Sequence, residues 1–191
     1  DAAYAALAAR DIGVGDTVAV MLPKTPPMLE AHYGVALAGA VLNSVNTRLD
    51  AGAVAFILEH SQSRVFIVDR EFAPLATEAL SLLQEKGVAA PFVIDALDPV
   101  YVDECRAGGR EPAPPLSGID YEAFIGAGDP AFAGQRPEDE FDAIGLNYTS
   151  GTTGDPKGVV VHHRGAYLNA VGNVLSWALP RHPTYLWTLP L

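Results

Sequence analysis

The residues whose types and spacing best suit chemistry lie in one glycine-rich segment, residues 149–158. Gly151 and Gly154 let the backbone turn close to a ligand, so that several N–H groups can point at one anion. Lys157 adds a mobile positive charge. Four hydroxyl side chains add donors at the same turn: Thr149, Ser150, Thr152 and Thr153. These groups suit a polyphosphate rather than general acid–base catalysis, because none of these side-chain types titrates near neutrality.

The order of residues in this segment differs from that of the commonest phosphate-binding loops. The NTPase loop has the pattern G-x-x-x-x-G-K-[ST], whereas here Pro156 stands at the second glycine and Gly158 at the hydroxyl residue. The kinase pattern G-x-G-x-x-G does not occur in the sequence, which disfavours a phosphotransferase. A turn-rich hairpin would use similar residue types, but the nine fixed positions of T-S-G-T-T-G-x-P-K-G arise by chance about once in 10¹¹ starting sites. The sequence therefore predicts a phosphate-binding loop of another class.

Charge is distributed unevenly along the chain, whose net charge is −11. Between positions 95 and 142, twelve acidic residues are opposed by three arginines, whereas no acidic residue follows Asp155. The acidic stretch argues against nucleic-acid binding, which needs basic surfaces. Lys157 and several arginines and histidines follow Asp155, so an anion is expected to bind in this last part of the chain.

Length and composition favour one globular domain or part of a larger one. The 191 residues are 49% hydrophobic, which excludes intrinsic disorder as the main state. No apolar run approaches the ~20 residues that a membrane span needs. The single cysteine, Cys105, cannot form an internal disulfide, so we predict a reducing compartment such as the cytoplasm. Arginine greatly outnumbers lysine, which favours a GC-rich bacterial source.

Short β-rich runs alternate with helical patterns and predict an α/β fold with a largely parallel sheet flanked by helices. The predicted strands cover residues 17–22, 41–46, 64–69, 91–97, 143–149 and 159–161. The predicted helices cover residues 1–10, 25–40, 74–86, 121–125 and 165–179, and a further helix is predicted to follow Asp50, with Val54, Ile57 and Leu58 on one face. We expect Thr25 and Asp50 to cap their helices. Apolar residues at helical spacing in 165–179 predict a face packed in the core.

The segment 149–158, with Tyr148 before it, resembles the phosphate-binding signature of the adenylate-forming (AMP-binding) enzymes. These are acyl- and aryl-CoA synthetases, nonribosomal peptide adenylation domains and beetle luciferases. The resemblance extends to residues 11–49 and 55–69, and residues 162–170 and 185–191 are most similar to fatty acyl-CoA synthetases. It implies that 1–191 is a partial N-terminal AMP-binding domain. Within it we expect an α/β core at 1–97, an acidic excursion at 98–142 and a phosphate-loop strand–turn–strand–helix–strand unit at 143–191.

The resemblance also implies the chemistry. An intact protein of this family activates a carboxylic acid, here expected to be fatty, with ATP to acyl-AMP and pyrophosphate, and then forms the CoA thioester. The implied phosphate-binding residues are Thr149, Ser150, Gly151, Thr152, Thr153, Gly154 and Lys157. The Mg²⁺ ligand and the catalytic groups are expected outside this chain, which we expect to be inactive by itself and cut from a longer protein. An adenylating enzyme with a carrier-protein or other acceptor, and a non-catalytic nucleotide-binding module, remain as alternatives.

His162 and His163 are weaker site candidates. Adjacent residues on a strand point to opposite faces, and no Cys or carboxylate stands at ligand spacing, so we predict no metal site. One histidine is expected to pack in the core or to cap the helix that begins near Arg164. The other is expected to lie toward the nucleotide cleft.

Overall fold

A computed structural model of the chain describes residues 2–149 and 156–186. Its strands form one sheet and are β1 (Thr17–Met21), β2 (Val41–Ser44), β3 (Ser63–Asp69), β4 (Phe92–Ala96), β5 (Ile119–Asp120), β6 (Ala143–Thr149) and β7 (Lys157–His162). The helices are α1 (Ala2–Ala8), α2 (Pro26–Leu37), α3 (Ala51–His60), α4 (Ala73–Glu85), α5 (Pro99–Ala107), α6 (Tyr121–Gly126) and α7 (His163–Ser176). In these described residues no helix is long and apolar enough to cross a membrane.

The strands follow the order β5-β4-β3-β1-β2-β6-β7 across the sheet. Each neighbouring pair from β5 to β6 is parallel, and β6 and β7 form an antiparallel hairpin. Parallel neighbours need crossover connections, and α2, α3 and α4 provide them for the central strands. The predicted α/β fold, with a largely parallel sheet flanked by helices, is confirmed.

Side chains of the central strands alternate between two apolar cores, one on each face of the sheet. The core beneath α1, α2 and α6 contains the side chains of Val18, Val20, Val65, Ile67 and Ile94. The core beneath α3 and α4 takes Ala19, Met21, Phe66, Val68 and Val93. Because both faces are covered, the strands are continuous apolar runs in the sequence. Burial of each larger side chain stabilises the fold by about 1.5–3 kcal/mol.

Of the two predicted helix caps, the structure contains one and lacks the other. Oδ1 of Asp50 accepts a hydrogen bond from the Ala53 backbone N–H at 2.8 Å, so Asp50 caps α3 as predicted. Thr25 occupies the cap position of α2, but its side chain makes no capping hydrogen bond. Pro26 and Pro27 have no N–H to donate to a cap, and the Met28 N–H, at the third position, bonds to the Thr25 carbonyl instead of its side chain.

The acidic segment 98–142 adds elements to the sheet and to the core. Asp98 caps α5, which was not predicted, through a 3.0 Å bond from the Val100 N–H to its carboxylate. Strand β5 extends the sheet beside β4, and α6, predicted at 121–125, follows it directly. Tyr121 and Phe124 of α6 are buried in the same core as α1 and α2. This part of the chain therefore covers one end of the sheet.

A buried carboxyl group, that of Asp69, ends strand β3. Its two oxygens accept hydrogen bonds from the Glu71 N–H at 2.8 Å and from the Asp98 N–H at 3.1 Å. Asp69 is only 2% exposed. Loss of solvation by burial outweighs these two bonds and raises the pKa of Asp69 to about 6.

This raised pKa makes the stability of the fold depend on pH. The protonated form is favoured in the folded protein, so its contribution is complete only below the usual pKa of 3.8 and is lost as the pH rises through about 6. We expect Asp69→Asn to gain up to about 3 kcal/mol relative to the wild type between pH 4 and pH 7. Guanidinium unfolding of both proteins at several pH values measures this difference. Parallel pH profiles would contradict the prediction.

Candidate functional site

The β6–β7 hairpin brings together the two ends of the predicted phosphate-binding loop. Thr149 is the last residue of β6 and Lys157 the first of β7, and their Cα atoms are partners in the ladder. The predicted loop residues Ser150, Gly151, Thr152, Thr153 and Gly154 lie outside the described residues. Strand β7 is longer than the predicted 159–161, because its pairing with β6 continues to Lys157. The side chains of Thr149 and Lys157 are exposed at the mouth of the hairpin.

The mouth of the hairpin lies at the edge of the sheet where the parallel strands end. Because β6 is parallel to β2, and β2 to β1, their carboxyl ends share one edge. Ligands of open α/β sheets bind at this edge. A cavity of about 780 Å³ is found there, lined by Leu22, Pro23, Lys24, His32, Ser44, Val45, Asn46, Thr47, Arg48 and Asn147. Its lining includes a residue of β6 only two positions before Thr149.

The lining of this cavity is polar and carries positive charge. Lys24 and Arg48 contribute cations, and none of the ten lining residues is acidic. His32 donates from Nδ1 to the Met28 carbonyl at 2.8 Å, because a carbonyl can only accept. Asn46 Oδ1 accepts from the Arg48 N–H at 3.0 Å and so fixes the start of the loop after β2. This arrangement suits the anionic part of a ligand.

The structure places the two histidine candidates at the other end of β7. His162 caps α7, with Nδ1 accepting from the Gly165 N–H at 2.8 Å, and its ring contacts the Phe141 ring edge-on at 5.4 Å between centroids. His163 is the first residue of α7 rather than a strand residue, and its N–H donates to the Asp142 carbonyl. About 16 Å of extended strand separates Lys157 from His162. Their predicted place near the cleft stays a prediction.

The apolar face predicted for α7 is not buried in the described structure, so this expectation is wrong for these residues. Five apolar side chains of α7 are at least 36% exposed: Tyr167, Leu168, Val171, Val174 and Leu175. The reason lies in the position of the helix, because α7 follows β7, the strand at the edge of the sheet. Helices α3 and α4 cover the central strands instead.

A contact between Tyr148 and His60, which the sequence did not predict, lies beside the hairpin mouth. The Tyr148 hydroxyl and His60 Nδ1 are hydrogen-bonded at 2.7 Å, and the two rings pack edge-on at 5.7 Å between centroids. Burial raises the pKa of Tyr148, so its hydroxyl stays neutral. The pair is separated by 88 positions in sequence, and no local pattern signals such a contact. The cationic cavity was missed for the same reason, because its lining comes from separate segments.

The described residues contain no group of three or more His, Cys, Asp or Glu side chains arranged to hold a metal ion. Cys105 is buried and is not bonded to sulfur. The chemical groups that the described site does offer are the exposed side chains of Thr149 and Lys157 and the cations of the neighbouring cavity, Lys24 and Arg48.

A largely parallel α/β sheet with the two ends of a glycine-rich segment, Thr149 and Lys157, at its carboxyl edge is typical of nucleotide-binding proteins. Comparison with protein families places the chain within this class. The family model of the AMP-binding enzymes matches residues 2–191, and the chain belongs to this family.

Several plant relatives are similar over almost the whole chain. The peroxisomal acetate/butyrate–CoA ligase of Arabidopsis thaliana is 49% identical over 186 residues, which are 97% of this chain and 32% of that protein. The acetate–CoA ligase of Humulus lupulus is 44% identical and matches 97% of this chain and 33% of its own length. The peroxisomal benzoate–CoA ligase of Arabidopsis thaliana is 42% identical over 98% of this chain and 32% of its own length. The chain thus spans about a third of the length of the curated relatives it matches.

Solved structures with lower sequence identity share the fold. A candidate long-chain fatty-acid CoA ligase of Rhodopseudomonas palustris has a TM-score of 0.74 at 20% identity, over 98% of this chain and 42% of its own. The anthranilate–CoA ligase in complex with anthranoyl-AMP has a TM-score of 0.72 at 22% identity, over 89% of this chain and 29% of its own. These likenesses support the arrangement of helices and strands described above.

Proposed function

We propose that the protein containing this chain is an AMP-forming acid–CoA ligase. Its substrates are a carboxylic acid, ATP and CoA, and its products are the acyl-CoA thioester, AMP and pyrophosphate. The observation that carries the proposal is the family's phosphate-loop sequence, whose two ends meet at Thr149 and Lys157 on the carboxyl edge of the sheet. The names of the three plant relatives, all CoA ligases, agree with it.

The proposed reaction has two steps, formation of acyl-AMP and formation of the CoA thioester. A carboxylate oxygen attacks the α-phosphorus of ATP, the bond to the β-phosphate breaks, and pyrophosphate leaves. The CoA sulfur then attacks the acyl carbonyl carbon, AMP leaves, and the thiol proton passes to solvent. The proposed binding residues for the β- and γ-phosphates are Thr149, Ser150, Gly151, Thr152, Thr153, Gly154 and Lys157. Their contribution is positioning and neutralisation of charge rather than covalent chemistry.

Mg²⁺ is proposed as a cofactor that would accompany ATP, and its protein ligand is proposed to lie outside this chain. When bound, it would supply neutralisation of phosphate charge. The cationic cavity at the same edge would receive an anionic part of a substrate, with Lys24 and Arg48 as its charged groups.

The proposed acid substrate is a carboxylic acid. We infer that the acid is a fatty acid, because residues 162–170 and 185–191 are most similar to fatty acyl-CoA synthetases. The names of the relatives add acetate, butyrate and benzoate to the acids to be tested. The predicted cytoplasmic location and bacterial source stay predictions, and the matched relatives named here are plant proteins, two of them called peroxisomal. We also keep the division into 1–97, 98–142 and 143–191 as a proposal.

Carboxylate-dependent ATP–pyrophosphate exchange tests the proposal. The intact protein is assayed with acetate, butyrate, benzoate and longer fatty acids, and thioester formation is then measured with CoA. We expect exchange with at least one acid and conversion of that acid to its CoA thioester. Exchange without thioester formation would favour a carrier-protein or other acceptor. ATP binding without any exchange would favour a non-catalytic nucleotide-binding module, and turnover by residues 1–191 alone would contradict the proposed inactivity of the isolated chain.

A further inference from the structure

The hairpin that holds the phosphate-binding loop is joined to the parallel sheet at a single position. Among the described residues, its strand β6 pairs with β2 only at Gly145, opposite Leu42, whereas it pairs with β7 at every position from Gly145 to Thr149. Strand β7 is at the edge of the sheet. Thr149 therefore lies four residues beyond the last backbone pairing to β2. The orientation of the hairpin mouth depends on side-chain contacts there.

Tyr148 supplies such a contact, one residue before Thr149. Its ring is partly buried against the core beneath α3 and α4. Its hydroxyl is hydrogen-bonded to His60 Nδ1 at 2.7 Å. Tyr148 is also the ladder partner of Gly158, and a Cβ at position 158 would lie 3.4 Å from Cζ of the ring.

His60 is itself exposed, but it belongs to a helix that is packed in the core. It is the last residue of α3, whose Val54 and Ile57 are at most 1% exposed. Its ring stacks on that of Phe56, one turn earlier in the helix, at 5.3 Å between centroids. A hydrogen bond to His60 therefore ties the hairpin mouth to a helix packed in the core.

We propose that the Tyr148–His60 contact positions Thr149 and Lys157, the two described ends of the proposed phosphate-binding segment, and thereby sets the affinity of the protein for ATP. Both are positioning residues, because they act through the orientation of Thr149 and Lys157 and need not touch the nucleotide. The inference rests on the proposed function, since it takes the loop to bind the phosphates of ATP. A positioned loop binds more tightly because less conformational freedom is lost on binding.

The test compares Tyr148→Phe and His60→Ala with the wild type in the intact protein, using calorimetric titration with MgATP. Loss of one hydrogen bond is expected to raise the Kd for ATP about three- to tenfold. In the exchange assay the KM for ATP should rise by the same factor, with kcat changed less than about twofold. The double variant should be no weaker than the single ones, because both remove the same interaction. His60→Asn, which keeps a polar group near the position of Nδ1, should recover part of the affinity.

Tyr121→Phe is the matched control. It also removes a hydroxyl from a hydrogen-bonded tyrosine, here bonded to Glu30 at 2.6 Å, but in the core on the other face of the sheet. It should lower the melting temperature without changing the Kd for ATP. An unchanged Kd in Tyr148→Phe, or an equal rise in Tyr121→Phe, would overturn the inference. Absence of exchange in a wild type that binds ATP would refute the ligase proposal alone, whereas absence of ATP binding would overturn both.

Discussion

Replacing Lys157 by alanine is expected to lower carboxylate-dependent ATP–pyrophosphate exchange by roughly 100-fold or more. Lys157 begins β7 opposite Thr149, and its side chain is exposed at the mouth of the hairpin. Negative charge grows on the departing pyrophosphate in the transition state, and in the proposed site the ammonium group of Lys157 offsets it. An interaction that strengthens in the transition state affects kcat as well as KM, so we expect both to change.

Lys86→Ala is the control for the loss of one positive charge. Lys86 pairs with Glu59 at 2.8 Å on the surface, and both side chains are well exposed. An exposed pair of this kind contributes little to stability. The exchange rate of Lys86→Ala should therefore stay within about twofold of the wild type. If Lys157→Ala also stayed within that range, the proposed phosphate-binding role of Lys157 would be wrong.

The central strands could be predicted because each of them is marked by a continuous stretch of the sequence. Strands β1 and β3 are buried on both faces and so form continuous apolar runs of β-branched and aromatic residues. The N-cap of α3 was equally visible, because Asp50 stands directly before an apolar helical pattern. Strand β5 has only two residues and no periodicity to detect. Helix α5 did carry a sequence signal for a helix start, because the cap residue Asp98 is followed by Pro99. The helix was not predicted, because it lies in the acidic segment that we interpreted as an excursion.

The candidate site likewise has one part that could be predicted from the sequence and one part that could not. The proposed phosphate loop is one uninterrupted run of residues, so it could be predicted from the sequence alone, and the ladder brings its ends Thr149 and Lys157 into register. The cavity combines residues from the ends of β1 and β2 with Asn147 of β6. That grouping exists only because β6, which follows a long connection, is placed beside β2. Which strands become neighbours is decided by packing over long sequence distances, and no local pattern records it.

Asp95→Asn is expected to cause the largest loss of stability, about 3–5 kcal/mol. Asp95 lies on β4 and is only 2% exposed. Its Oδ2 accepts hydrogen bonds from both Nε and Nη2 of Arg70, at 3.1 and 2.5 Å. Charged groups removed from water are stable only when paired. The asparagine has nearly the same shape, so it leaves little cavity but leaves the guanidinium of Arg70 without its counter-charge.

Guanidinium unfolding of the intact protein measures this loss, and hydrogen exchange at the β3 and β4 amides locates it. Adding Arg70→Met to Asp95→Asn should recover part of the lost stability, because the double variant no longer buries an unpaired charge. Glu59→Gln breaks the exposed pair with Lys86 and should cost less than about 1 kcal/mol. If Asp95→Asn cost no more than Glu59→Gln, the buried pair would not stabilise this side of the sheet. A recovery in the double variant identifies the unpaired charge, rather than lost packing, as the cause of the instability.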